Sequence, residues 1–153
     1  MGTARCLVCC LIALAFASCS SPWETPPLKQ AISTDGAPRA IGPYSQAIKY
    51  GNLLFLSGQL AINPGSGQLL ADASIEEQTR QAMDNLSAVL KASGMSMDNV
   101  LMATVYLKDM NDFPKVNEIF GRYFAAAPPA RVTVAVAQLP KNAKIEISMI
   151  AGK

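Results

Sequence analysis

The sequence contains no histidine. That absence removes the commonest general base, the Ser-His type of triad and any His-ligated zinc site. Any catalysis therefore falls to carboxylates, arginine, lysine, tyrosine, hydroxyls or backbone amides. Cysteine is confined to Cys6, Cys9, Cys10 and Cys19, so nothing beyond residue 19 can form a disulfide or act as a thiol nucleophile. Charge is sparse as well: 16% of the residues are charged, and 13 Lys and Arg against 11 Asp and Glu leave a net charge of +2. This near-neutral balance lacks the basic footprint of a nucleic-acid-binding domain, and no nucleic-acid partner is expected. What the chain does have is apolar residues, 50% of 153, enough for the core of one domain with a short extension.

Part of that apolar content lies in a leader. Arg5 gives a positive start, and residues 7–17 form an apolar run of signal-peptide length, too short to span a bilayer as a helix. Phe16-Ala17-Ser18-Cys19 resembles the bacterial lipobox, with Phe16 where Leu is usual. The resemblance implies a lipoprotein signal peptide over residues 1–18, cleavage before Cys19 and lipidation of Cys19. The protein would then be exported to the periplasmic side of a bacterial membrane and touch that membrane through its lipid anchor only. An ordinary secretory signal, leaving a soluble periplasmic or secreted protein, is the alternative. Ser21-Pro22-Trp23-Glu24-Thr25-Pro26-Pro27 reads as an extended tether within residues 19–28, because paired prolines block helix. Residues 29–153 are left as the folded domain.

Within it, two apolar stretches, 47–50 and 53–57, flank Gly51-Asn52, a pair suited to positive φ, and so suggest a hairpin. Ser74-Ile75-Glu76-Glu77 matches the capping box. The apolar stripe Ile75, Ala82, Met83, Leu86, Val89 and Leu90 then carries a helix over 74–93, ending at Gly94. Residues 100–107 are apolar and β-branched enough for a central strand. Asn111-Asp112 and Pro114 suit the start of a second helix running through Phe124, closed by Pro128-Pro129. Residues 131–138 alternate, 139–142 turn, and 144–151 alternate again with Ile145, Ile147 and Met149 inward. The expected class is α+β, in the order β-β-α-β-α-β-β, one sheet with two helices on one face. The reverse face is expected to carry Ala135, Ala137 and Ile150 and to be covered by self-association.

Several segments also resemble a known family in their wording. They are Ala40-Ile41-Gly42-Pro43-Tyr44-Ser45-Gln46-Ala47, Leu56-Ser57-Gly58-Gln59 and Lys108-Asp109-Met110-Asn111-Asp112-Phe113. Pro129-Ala130-Arg131, Leu139-Pro140 and Lys144-Ile145-Glu146-Ile147 complete the set. In order, over residues 30–151, they are similar to the RidA/YjgF imine deaminases. The resemblance implies a chorismate-mutase-like fold assembled as a homotrimer with sites between subunits. It implies hydrolysis of 2-imino or 2-aminoacrylate species to 2-keto acids and ammonia, with no cofactor and no metal. Small imino and keto acids are thus the expected partners.

By the same resemblance Arg131 pairs with the substrate carboxylate, a role its two parallel donors suit at about 1.5–3 kcal/mol per charged hydrogen bond. Glu146 positions and activates water. Tyr44, Ser57, Gly58 and Asn117 match the remaining pocket positions, and Thr133 stands where many members have cysteine. Lys49, Lys108 and Lys144 have no spacing that places one in an apolar pocket for Schiff-base chemistry. A hairpin turning at Lys141 would set Glu146 opposite about Val136 and leave Arg131 some five residues beyond, roughly 16 Å at strand rise. The site is accordingly expected to combine chains. A non-catalytic small-acid-binding or envelope-associated interaction module on the same trimer is the rival expectation.

Overall fold

Gly51 adopts the left-handed conformation expected of it (φ 59°), and the capping box at Ser74 forms in full. These two features set the chain directions around which the rest assembles. The computed structural model describes residues 28–124 and 127–153. The expected signal peptide, the lipidated Cys19 and the tether up to residue 27 lie outside the described residues.

Six strands form one sheet: β1 (Gln30–Ile32), β2 (Ala47–Tyr50), β3 (Leu53–Gln59), β4 (Val100–Leu107), β5 (Ala130–Ala135) and β6 (Ile145–Gly152). Their order is β1-β2-β3-β6-β4-β5. Helix α1 (Ile75–Ala92) connects β3 to β4, and α2 (Phe113–Gly121) connects β4 to β5. From β2 onward this is the expected β-β-α-β-α-β-β. β1 is an addition: three residues pair with Lys49, Ile48 and Ala47, too short a strand to show alternation in the sequence.

The last two strands do not form the expected hairpin. β4 lies between them, parallel to β5 and antiparallel to β6. The reason lies in β4, whose apolar residues fill the middle of the sheet, while α2 supplies the crossover that a parallel β4–β5 pair requires. Between β5 and β6 the chain makes a 3-10 turn, Pro140–Asn142, in which Lys141 (φ 55°) and Asn142 (φ 60°) are left-handed. Asparagine tolerates that conformation; lysine is an unusual occupant.

The second helix is also shorter than expected. A 3-10 turn, Met110–Asp112, runs directly into it, so the capping side chain is Asp109, which accepts from the Asn111 N–H at 2.9 Å. Asp112, already in helical conformation, makes no capping bond. The helix ends at Gly121, and Phe124 turns back to rest on Phe120 at 4.8 Å between ring centres.

Both helices cover one face. Leu54 and Leu56 of β3, Ala103, Val105 and Leu107 of β4, and Ile145, Ile147 and Met149 of β6 pack against Met83, Leu86, Val89 and Leu90 of α1 and Val116 and Phe120 of α2. Polar side chains inside this layer are all satisfied. Asn85 donates to the carbonyls of Leu60 and Ile62, and Gln78 donates to Leu70 while accepting from the Lys144 N–H. Each such bond ties a loop to α1, and a buried group left unpaired would cost about 1–3 kcal/mol.

No described element covers the other face, where apolar side chains stand beside Thr104, Ser148 and Glu146. Leu53, Phe55, Leu101, Val132, Val134 and Ile150 are each 36–54% exposed there. Of the residues expected on this face, Ile150 is present. Ala135 pairs with Leu107 and so points to the helix side, and Ala137 lies past the end of β5. The parallel register decides this, since it aligns Val132 with Thr104 and Val134 with Tyr106. Single exposed apolar residues are ordinary; a contiguous set across a sheet marks a contact surface.

Candidate functional site

Gln46 organises the first wall of the site. It is 4% exposed, and its side chain accepts from the Thr34 N–H and donates to the carbonyls of Thr34, Ala37 and Pro38. One buried glutamine thus pins the segment that leads into Tyr44. Ser57 fastens the same region from β3: its hydroxyl donates to the Ser45 carbonyl at 2.7 Å and its N–H to Gln46 at 3.0 Å. The serine hydroxyl proton is committed to the backbone.

Glu146 closes the opposite wall. It pairs with Tyr106 across β6–β4 and so points to the uncovered face of the sheet, where it is half-buried. Burial pushes its carboxyl above the ordinary carboxylate range. The β3–β6 pairing slips register between Leu56 and Gln59, and Gly58 at that irregularity faces the carboxylate. A Cβ on Gly58 would stand 1.9 Å from Glu146 Oε1 and 2.8 Å from its carboxyl carbon. Pro38, Arg39, Ile41, Tyr44, Gly58 and Glu146 line a cleft of about 70 Å³. Tyr44 is 48% exposed at its edge, its phenol oxygen 3.3 Å from the Ile41 N–H that donates to it.

Arg131 stands elsewhere. It pairs with Ala103 and faces α2, its guanidinium 4.7 Å from the Phe120 ring centre and 5.5 Å from that of Phe113. Nη2 donates to Asn117 Oδ1 at 2.7 Å. Among the described residues no carboxylate lies within 4.0 Å of it. The aromatic shelf and Asn117 therefore fix the fork while leaving most of its donors for an outside anion. Thr133, next on the same side of β5, lines a hollow with Met110, Asn111, Phe113 and Pro114.

The structure thus gathers the sequence-derived residues into two groups. Tyr44, Gly58 and Glu146 share the cleft, with Ser57 fastening its wall; Arg131, Asn117 and Thr133 share the flank beneath α2. The groups do not meet within one chain. Their partners on β4, Ala103 and Tyr106, are an odd number of residues apart, so the two side chains leave opposite faces of the sheet. With β4 between them, their Cα atoms are on the order of 14 Å apart. Gln46, the Pro38-Arg39 wall and the Phe113/Phe120 shelf were not singled out from sequence. A lone glutamine beside a strand and phenylalanines on an apolar helix stripe carry no separate signal there. Among the described residues, no group of three or more His, Cys, Asp or Glu side chains is placed to hold a metal ion.

A single mixed sheet with helices on one face, an arginine free of carboxylate partners on that side and a carboxylate cleft on the other define a small α+β domain. Comparison with known proteins places it in a family. The family model described as Endoribonuclease L-PSP matches residues 34–153. A RutC family protein of Pyrococcus horikoshii is 52% identical over 126 residues, covering 82% of this chain and 99% of the relative. The mouse 2-iminobutanoate/2-iminopropanoate deaminase is 47% identical over 124 residues, covering 81% and 91%. The crystal structure of the YjgF gene product from E. coli matches with a TM-score of 0.78 at 42% identity, covering 81% and 98%. The chain belongs to the RidA/YjgF family, and these relatives consist of this domain and little else.

Proposed function

We propose that the protein hydrolyses 2-imino acids, and their enamine tautomers of the 2-aminoacrylate type, to 2-keto acids and ammonia, in sites formed between copies of the chain in a homotrimer. The observation that carries the proposal is the separation of Arg131 from Glu146 onto opposite faces of one sheet, next to an apolar face that none of the described residues covers. A neighbouring copy laid on that face brings its own Arg131 toward the Glu146 cleft. Identity to a mouse protein named for imine deamination supports the chemistry.

In this reading Arg131 takes the substrate carboxylate in a bidentate pair. Asn117, Phe113 and Phe120 hold the guanidinium, so little orientation is lost on binding. Glu146 accepts a proton from water as the oxygen attacks the imine carbon. That proton passes to nitrogen to give a carbinolamine; Glu146 then moves the hydroxyl proton to the amine as the C=O forms and the C–N bond breaks, and keto acid and ammonia leave. A carboxyl raised by burial is a better base near neutrality than an ordinary glutamate, which suits a chain without histidine. The same proposal takes the chain to be exported and held through Cys19 on the periplasmic side of a membrane, on the strength of residues 7–19 alone.

The test is to generate 2-iminobutanoate or 2-iminopropanoate in situ and follow keto-acid release. The unmutated protein should accelerate release and Arg131→Ala should lose at least 100-fold of that acceleration. Equal release with and without the unmutated protein overturns the enzymatic reading and leaves small-acid binding.

A further inference from the structure

The deaminase reading leaves unexplained the end of the domain at which the chain enters. β1 begins there, and the β-pairing and hydrogen bonds bring four other segments beside it. Gln30 pairs with Lys49, Lys153 donates its N–H to the Asn52 carbonyl, and Lys153 Nζ donates to the Gly94 carbonyl at 3.1 Å. Asn99 donates to Gly152 at 3.3 Å. Lys49 and Lys153 line one hollow with Gly51, Asn52, Gly94 and Met95. Lys91 occupies the last turn of α1, three residues before Gly94, and Lys29 directly precedes β1.

Four of the chain's eight lysines are therefore drawn to one pole, and the side-chain carboxylate in the same segments is Asp98. Among the described residues no carboxylate lies within 4.0 Å of any of the four ammonium groups. At the opposite pole, where α1 and α2 begin, Asp72, Glu76, Glu77, Asp109 and Asp112 stand among the other four lysines, Lys108, Lys115, Lys141 and Lys144, of which Lys115 is paired with Glu76 and Lys144 donates to the Ala73 carbonyl. The lysines divide evenly between the poles; the carboxylates do not, with one side-chain carboxylate beside the first four lysines and five beside the second four. The basic pole also exposes Leu28 (89%), an aliphatic side chain of the kind that enters an acyl boundary.

We propose that this lysine pole rests on an anionic phospholipid surface. The place where the chain enters favours that occupant over a free anion or an acidic protein. Eight residues separate Cys19 from Leu28, so lipid held at Cys19 lies within about 30 Å of the pole by covalent reach. An acyl anchor with a basic patch is the two-signal arrangement that makes membrane attachment stable, and it would turn the carboxylate-rich pole outward. The proposal rests on the export reading for its biological setting, but the pole's own affinity can be measured without acylation.

The experiment uses residues 20–153, which contain every described strand and match relatives that are this domain alone. The protein is titrated with vesicles of phosphatidylglycerol and phosphatidylcholine, and with phosphatidylcholine alone, at low salt and at high salt. Binding should need phosphatidylglycerol and should collapse at high salt. Lys29→Gln with Lys91→Gln, two exposed positions outside the proposed active site, should weaken it about 25-fold, near five-fold per ammonium group. Lys108→Gln with Lys115→Gln at the other pole should change it less than two-fold. Absence of binding, equal loss in both double variants, or binding to RNA without binding to vesicles overturns the proposal. Membrane fractionation of full chain with Cys19→Ala reports on the anchor separately, so a soluble unmutated chain refutes export as a lipoprotein without touching the vesicle result.

Discussion

The carboxylate of Glu146 occupies the space beside Gly58 that a side chain there would need, with Oε1 1.9 Å from the position of the missing Cβ. The glycine is thus explained by its neighbour: it makes room for the proposed base and holds it in one place. Gly58→Ala should displace the whole carboxylate, because the carboxyl carbon and Cγ, at 2.8 and 3.0 Å, are crowded along with the oxygen. Keto-acid release should fall by about 100-fold or more, since misplacement by about 1 Å has that effect on positioned groups. Thermal unfolding should show a folded protein, and retention of full activity would remove Glu146 from the mechanism.

Separation of Arg131 and Glu146 onto opposite faces gives a complementation test. Arg131→Ala and Glu146→Gln should each be inactive alone. Unfolded together in equal amounts and refolded, they should recover about a quarter of the unmutated activity, the chance that independent neighbours supply one intact residue each. A mixture as inactive as its parents would place both groups in one chain's site.

The uncovered face should govern assembly. Phe55→Asp or Val134→Asp sets a charge within the apolar patch, on β3 or on the edge strand β5, where burial against another copy would cost several kcal/mol. Light scattering should find a trimer for the unmutated protein and a folded monomer for the variants, with activity lost alongside. A trimer that survives both substitutions would mean that another surface holds it.

Glu146 also sets a pH dependence. Its folded-state pKa lies above the ordinary glutamate value because burial disfavours the charge. Between the two values the native state binds more protons than the unfolded one, so this group's contribution to stability falls as pH rises through that window. Glu146→Gln should remove the fall. Activity has the opposite slope, because the base works deprotonated: kcat/KM should climb with pH through the raised value. A limb centred on the ordinary glutamate range would contradict the assignment.

Gln46 is a test of the wall. Gln46→Ala removes one acceptor and the donors to three carbonyls, two of those contacts within buried surroundings. Stability should drop by about 2–3 kcal/mol in denaturant titration, and KM should rise as the Tyr44 segment loosens. A loss below about 0.5 kcal/mol would show that water replaces the clamp.

Local signals carried much of this structure. The capping box fixed the start of α1, Gly51 fixed the first hairpin, and the apolar run of residues 100–107 placed β4 centrally, because each depends on neighbours a few residues away. The start of α2 at Asp112 was legible, but the capping bond comes from Asp109 ahead of a 3-10 turn, because Asp109, Asn111 and Asp112 are all chemically able to cap and only that turn selects among them. The family motifs supplied the candidate residues, but their division between two faces of the sheet could not be read from them. Arg131 and Glu146 were expected to be kept apart by hairpin length; β4 between them and opposite sheet faces do so instead.

What the sequence by itself determined is whatever acts over short range: the elements, the apolar faces, the absence of histidine, and the motifs that mark the family. Strand order, the pairing of β5 and β6 with β4, and the gathering of four lysines at one pole were decided only in the tertiary structure. Such placements depend on which strand a neighbour pairs with and in what register. A shift of one residue turns a side chain from one face to the other, and no local pattern encodes it.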